Sequence, residues 1–239
     1  YEILRCLVGS EMCIRDSALP ALYPKESIVD PELMTTLSSR GIAGPGFDAL
    51  AHAIESFLSV RANPFSKLYS RQAILWLSEG LPKVQASPSD LETWERVALG
   101  STFSGIAIGN AGCTAPHGIE HPISGLLNVA HGEGLAAIYP EYMRFMRPHA
   151  QADFAELARL LGAETSGLTE EEASLRAVEQ VDALLKTLGI AFTLSDLGVR
   201  ESQLDWLSRT ALDSMPAVFA NNPAAMTSDD VKTILERRL

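Results

Sequence analysis

Four of the five histidines of this chain lie in two short segments, and this clustering constrains the fold more than any other feature. The first segment reads GFDALAHAIES and contains His52. The second reads CTAPHGIEHPISGLLNVAHGEG and contains His117, His121 and His131. Histidines at such density are typical of metal sites. The fold is therefore expected to bring the two segments together.

The spacing of these residues favours helices in both segments. On an α-helix, residues four apart share a face and lie about 6 Å apart along the axis. Asp48 and His52 can therefore reach one ion, and so can His117 and His121. In an unbroken helix His131 would lie about 21 Å from His117, so the chain must turn between them. Residues 128–130, just before His131, are the predicted place for this turn.

The donor types favour a transition metal, although each residue also has an ordinary structural interpretation. A carboxylate with several imidazoles suits Fe²⁺ or Zn²⁺ better than Ca²⁺ or Mg²⁺. Cys113 fits a buried thiol near a helix start better than a ligand. Asp48 alone fits a helix-capping acid, and His52 alone a hydrogen-bonded core or surface histidine. Glu55 and Glu120 lie close to histidines and are candidates for a general base, but a helix-surface carboxylate is the favoured interpretation.

Apolar residues at three- and four-residue spacing predict nine or ten helices from Asp30 onward, and no strand–helix alternation occurs. The predicted fold class is therefore all-α, with one multi-helix domain. The residues around Gly44 are predicted to break the chain before a helix that opens at Asp48, and Ser27–Val29 is a candidate strand end. The predicted helices cover 31–39, 48–62, 65–84, 91–108, 134–146, 153–161, 169–188, 200–213 and 228–238.

Composition and the N-terminal segment limit the extent of the domain, the class of partner and the location. Residues 1–17 show no helical or strand period and are interpreted as an extraneous leader, so the predicted domain spans 18–239. With 19 basic and 30 acidic residues, the net charge of −11 argues against nucleic acid or an anionic membrane as partner. Three cysteines are too few for a disulfide framework, which favours a cytoplasmic location. No apolar run reaches the roughly 20 residues that span a bilayer.

The two histidine segments resemble known signatures. GFDALAHAIES resembles the Gly-x-Asp-Ala-Leu-x-His-x-Ile-Glu signature of the iron-containing, or group III, alcohol dehydrogenases. The second signature of that family is similar to the segment APHGIEHPISGLLNVAHGEGLAAIYPEYMRF. The sequence of this segment resembles most the butanol-dehydrogenase-like branch of the family. The resemblance runs from about Leu22 to the C-terminus. It implies the all-α, metal-binding domain of the dehydroquinate synthase-like type, with the N-terminal α/β domain of the family missing.

The resemblance also implies roles for individual residues. Asp48, His52, His117 and His131 correspond to the ligands of a divalent metal, Fe²⁺ or Zn²⁺. His121 corresponds to a catalytic residue beside the metal that relays a proton or positions the substrate. The implied reaction moves a hydride between NAD(P) and a small alcohol or aldehyde. The complete protein is expected to be a homodimer.

The missing dinucleotide-binding half limits what the chain is expected to do alone. We expect it to bind a divalent ion weakly or moderately and to show little or no dehydrogenase activity. Two other functions stay open at this point. One is a carbon–oxygen lyase of the dehydroquinate synthase type, and the other is a non-catalytic helical metal-binding domain. The long His-Gly signatures resemble the dehydrogenases better.

Overall fold

The computed structural model describes residues 26–239, of which 31–239 form one helical unit. Ten α-helices occur in this described part of the chain, without any β-strand, so the all-α prediction is confirmed. They are α1 (Ser39–Leu58), α2 (Pro64–Ala86), α3 (Leu91–Ala111), α4 (Ala115–Leu127), α5 (His131–Met146), α6 (Gln151–Leu160), α7 (Glu170–Leu188), α8 (Leu204–Ser214), α9 (Pro216–Ala220) and α10 (Ser228–Glu236). The predicted leader, and the predicted domain start at residue 18, lie outside the described residues.

Most helices begin and end close to the predicted residues because local signals mark them. The Thr169 side chain accepts a hydrogen bond from the backbone N–H of Glu172, and the Glu172 side chain accepts one from the backbone N–H of Thr169. This capping box starts α7 and satisfies N–H groups that the first turn leaves without helical partners. Gly189 ends α7 with a φ of 72°, a left-handed conformation that glycine adopts without steric cost.

The chain break predicted around Gly44 is wrong. Helix α1 begins after Ser38, whose hydroxyl accepts a hydrogen bond from the backbone N–H of Gly41, and it continues through this segment. Asp48 consequently lies in the middle of α1 and is not a capping residue. The small residues serve close packing instead, because a Cβ atom on Gly132 of α5 would overlap the Gly44 carbonyl oxygen and lie 2.5 Å from its carbon.

Three further local predictions need correction. The helix predicted over 31–39 is only a 3₁₀ turn, Pro31–Met34. Residues 26–30 have no regular structure and Ile28 is 96% exposed, because no partner strand exists among the described residues. Helix α9 was not predicted, since a five-residue helix is too short to show a period.

Helix α1 lies against α2, α3 and α5 and contributes much of the core. Its large apolar side chains are fully buried, and they are Phe47, Leu50, Ile54 and Phe57. Burying each contributes about 1.5–3 kcal/mol to stability. The Tyr139 hydroxyl of α5 also donates a hydrogen bond of 3.2 Å to the Ala51 carbonyl. The position of α1 relative to α5 is therefore tightly constrained.

Among residues 26–239, no helix combines the length and the apolar character needed to cross a bilayer.

Candidate metal centre

Helix α1 contributes two of the predicted site residues. Asp48 Oδ1 and His52 Nε2 lie 3.6 Å apart, one helical turn from each other, and both side chains are partly buried. The shared face predicted from their spacing is therefore confirmed.

Helices α4 and α5 contribute the other residues, across the predicted turn. His117 lies in the first turn of α4, and His131 is the first residue of α5. Between them Asn128 ends α4 in the left-handed conformation, with a φ of 54°. The centres of the His117 and His131 rings are consequently 5.1 Å apart. The turn required by the sequence is present where it was expected.

The side chains of three histidines lie close to one atom of the fourth residue, Asp48 Oδ1. The Nε2 atoms of His117 and His131 lie 3.3 Å and 3.4 Å from it, in addition to His52 Nε2 at 3.6 Å. Ligand atoms of a tetrahedral complex with bonds of about 2.1 Å lie about 3.4 Å from each other. We call these four residues the Asp48 cluster. Donor atoms of Asp48, His117 and His131 lie within 4.8 Å of one another, and His52 Nε2 adds a third imidazole nitrogen near Asp48 Oδ1. A carboxylate oxygen and imidazole nitrogens are donors that fit a divalent transition metal such as Fe²⁺ or Zn²⁺.

Two buried carboxylates lie behind the cluster, and the surface role favoured for them is wrong. Glu55 and Glu120 are both 0% exposed. The two carboxylate oxygens of Glu55 lie 2.9 Å and 3.0 Å from His117 Nδ1, and Glu120 hydrogen-bonds His131 Nδ1. Each carboxylate therefore contacts the ring nitrogen that points away from Asp48. Neither has the exposure that a general base needs to contact a substrate.

Burial and neighbouring charges shift the protonation of the Asp48 cluster. Burial lowers the pKa of His52 to about 4, so this ring is neutral at pH 7. Burial also disfavours the charged form of His117, but the charge of Glu55 and the hydrogen bond with Asp48 outweigh it and raise the pKa to about 10. For Asp48, burial raises the pKa, but the nearby histidines outweigh burial and hold it well below its usual range. Without an ion, a protonated His117 thus faces an ionised Asp48.

His121 and Cys113 lie beside the cluster. The His121 ring centre is 5.5 Å from that of His131 and 6.4 Å from that of His117, and the residue is partly buried. Cys113 lies two residues before the start of α4 and is also partly buried. A donor atom of Cys113 lies within 4.8 Å of donors of His52 and His117.

A cleft of about 700 Å³ is a separate feature of the described part of the chain. Its walls include Arg40, Glu133 and the residues 128–130 that precede α5, but not the four side chains of the Asp48 cluster. Arg40 and the buried Glu133 form an ion pair at its edge, with Nε and Oε1 2.5 Å apart. The metal donors therefore do not lie in the walls of this cleft.

The polar residues that support Glu55 were not predicted from the sequence. Thr114, Tyr142 and Asn222 form buried hydrogen bonds with one another and with Glu55, although they lie far apart in the chain. Of these, only Asn222 has a local signal, because an Asn-Pro pair is typical of a loop. Their meeting depends on the packing of α4, α5 and α9.

Known proteins resemble this chain in sequence and fold. The family model described as Fe-containing alcohol dehydrogenase family, C-terminal, matches residues 42–239. Long-chain-alcohol dehydrogenase 1 of Geobacillus thermodenitrificans is 35% identical over 210 residues, which cover 88% of this chain and 53% of that protein. NAD-dependent methanol dehydrogenase of Bacillus methanolicus is 31% identical over 218 residues, covering 91% of this chain and 57% of that protein.

A solved structure shows the same arrangement of helices. The crystal structure of a 1,3-propanediol oxidoreductase superposes with a TM-score of 0.88 at 30% identity, covering 91% of this chain and 56% of that one. The chain spans about half the length of the curated relatives that it matches. Because the family model covers most of the sequence, the chain belongs to the iron-containing alcohol dehydrogenase family and corresponds to the helical C-terminal part of its members.

Proposed function

We propose that this chain is the metal-binding part of a metal-dependent, NAD(P)-linked alcohol dehydrogenase or aldehyde reductase. The observation that carries the proposal is the convergence of three imidazole Nε2 atoms on Asp48 Oδ1 at 3.3–3.6 Å. The names of the relatives support an alcohol or aldehyde as the substrate class. The same names favour a dehydrogenase over the carbon–oxygen lyase that the sequence left open.

The Asp48 cluster is the proposed ligand set, with Asp48, His52, His117 and His131 holding Fe²⁺ or Zn²⁺. Once bound, such an ion supplies Lewis-acid polarisation of an alcohol or carbonyl oxygen. The chain's own contribution is to hold four donors in place from three helices. The packing of α5 against α1 keeps His131 close to Asp48, which carries the carboxylate donor.

His121 is the proposed catalytic residue. It lies one turn after His117 on α4, with its ring centre 5.5 Å from that of His131. The resemblance to the family assigns the ligand role to the other three histidines and leaves His121 beside the metal. In the proposed reaction an imidazole nitrogen of His121 exchanges a proton with the substrate oxygen or orients that oxygen.

Other parts of the proposal concern the complete protein. There NAD(P) binds as the hydride carrier, the substrate is a small alcohol or aldehyde, and the protein forms a homodimer. The helical metal-binding domain is proposed to span residues 18–239, and a cytoplasmic location goes with this proposal. These features are inferred from the family and from the sequence.

Metal analysis tests the proposed ligand set. The purified 239-residue chain is loaded with Zn²⁺, and its metal content is compared with that of His117→Ala. His149→Ala is the matched control, because His149 is exposed in a 3₁₀ turn after α5. We expect metal loss only in His117→Ala. Equal metal content in all three proteins would remove the assignment. If the complete protein bound metal without reducing aldehydes, the non-catalytic alternative would be favoured.

A further inference from the structure

Two histidines of the Asp48 cluster, His117 and His131, contact a buried carboxylate through Nδ1, the ring nitrogen that points away from Asp48. We propose that Glu55 and Glu120 are positioning residues that fix the tautomer and the orientation of His117 and His131. We further propose that Gly134 is required because it leaves the space that Glu120 occupies. This inference rests on the proposed metal centre and assigns to it residues outside its ligand set.

Glu55 fixes which nitrogen of His117 is available to a metal. An ionised carboxylate only accepts hydrogen bonds, so His117 Nδ1, at 2.9 Å from Glu55 Oε1, must carry a proton. The lone pair of a neutral ring is then on Nε2, which lies 3.3 Å from Asp48 Oδ1. A carboxylate that accepts a hydrogen bond from Nδ1–H also makes the imidazole a better metal ligand.

Glu55 is itself held in place by a buried network. Its Oε2 accepts a hydrogen bond of 2.8 Å from the backbone N–H of Thr114, the residue that precedes α4. The Tyr142 hydroxyl contacts Thr114 Oγ1 at 3.0 Å and Asn222 Oδ1 at 3.1 Å. Asn222 Oδ1 also accepts a hydrogen bond of 3.0 Å from the backbone N–H of Ala115. These contacts tie the Glu55 carboxylate on α1 to the start of α4, which carries His117.

Glu120 performs the equivalent task for His131, across the turn at Asn128. Its Oε2 hydrogen-bonds His131 Nδ1, and its Oε1 accepts a hydrogen bond from the Ser124 hydroxyl one turn along α4. The carboxylate therefore links α4 to the first residue of α5. Because both of its oxygens are engaged and the side chain is 0% exposed, its position is well defined.

Gly134 faces Glu120 from the first turn of α5. A Cβ atom at this position would overlap Glu120 Oε1 and lie 2.9 Å from Glu120 Cγ. Glycine within a helix costs about 1 kcal/mol relative to alanine, so its presence here needs a compensating advantage. That advantage is room for the buried carboxylate beside His131.

The first experiment measures Zn²⁺ affinity and histidine tautomers in the 239-residue chain. We expect Glu55→Gln and Glu120→Gln to weaken Zn²⁺ binding by about 10- to 100-fold. Nitrogen-15 NMR of the Zn²⁺-loaded wild-type chain should show His117 and His131 protonated on Nδ1. Each Gln variant should shift the Nδ1–H proton resonance of its own histidine upfield, because an amide oxygen is a weaker acceptor than a carboxylate. Folding is checked by circular dichroism. Unchanged affinity and unchanged Nδ1–H resonances in both folded variants would overturn the proposal.

A double-mutant cycle tests whether Gly134 acts through Glu120. We expect Gly134→Ala to weaken Zn²⁺ binding when Glu120 is present and to have no further effect in the Glu120→Ala background. Glu120→Ser, which also lacks the carboxylate, replaces Glu120→Ala if the latter does not fold. The control is Gly105→Ala, because Gly105 is exposed on α3 with nothing within 4 Å of a Cβ atom. Equal losses from Gly134→Ala in both backgrounds would refute the packing role.

One further variant separates the failure of this inference from the failure of the metal centre. His131→Ala should lose Zn²⁺ binding if the Asp48 cluster is the metal site. Wild-type affinity in His131→Ala would mean that the metal centre itself is wrong. Loss in His131→Ala together with wild-type affinity in both glutamate variants would refute only the positioning role.

Discussion

His117 Nε2 lies 3.3 Å from Asp48 Oδ1, although 69 residues separate the two in sequence. This contact joins α1 to α4, and with His52 and His131 it gathers four metal-ligating side chains around one oxygen atom. The buried Glu55 contacts the other ring nitrogen of His117, so the orientation of the imidazole ring toward Asp48 is fixed.

Metal binding is expected to release a proton from His117. In the metal-free chain its pKa is raised to about 10, so Nε2 is protonated at neutral pH and must lose that proton before it binds an ion. Zn²⁺ affinity should therefore increase with pH, by up to about tenfold per unit below pH 10. His52, with a pKa lowered to about 4, should not compete in this range. Calorimetry in two buffers with different ionisation enthalpies measures the protons released, and a value of zero would contradict this prediction.

His121→Ala is expected to separate catalysis from metal binding in the complete protein. The His121 ring centre lies 5.5 Å from that of His131 and 6.4 Å from that of His117, and His121 is not among the proposed ligands, so Zn²⁺ affinity should change little. Losing a group that transfers a proton should lower the rate of aldehyde reduction by about 10²- to 10⁴-fold. The measurements are metal titration and steady-state kinetics on the same preparation. A large loss of metal affinity would instead indicate that His121 is a ligand.

Gly132→Ala is expected to destabilise the fold by about 3 kcal/mol. The added Cβ atom would overlap the Gly44 carbonyl, and a backbone atom cannot move aside without displacing α5 from α1. Urea denaturation measures the change. The control is Gly109→Ala on α3, where nothing lies within 4 Å and alanine should be neutral or stabilising. Equal stability of the two variants would show that the close approach is not required.

Thr169→Ala is expected to cost about 1 kcal/mol because it removes the capping box at the start of α7. Thr187→Ala, near the end of the same helix, is the matched control. The Thr187 side chain is exposed and hydrogen-bonds only the Ala183 carbonyl among its described contacts, so its loss should change stability by less than about 0.5 kcal/mol. Thermal and urea denaturation compare the two. A larger effect at Thr187 would argue against the capping role of Thr169.

Local signals in the sequence predicted most of the secondary structure. Thr169 and Gly189 mark the two ends of α7 through hydrogen bonds and backbone conformation that involve only neighbouring residues. The four-residue spacing of Asp48 and His52 predicted their shared face for the same reason. The prediction failed around Gly44, where glycines read locally as a helix break serve close helix packing.

The sequence by itself determined most of the helices, the turn before His131 and the residue types that suit a transition metal. Only the tertiary structure decided that three imidazoles meet at Asp48 Oδ1 and that Glu55 and Glu120 are buried behind them. The physical reason is the range of the interactions. Caps and helical periods act over a few residues, whereas these contacts depend on how closely α5 packs against α1. That packing is set by the whole core.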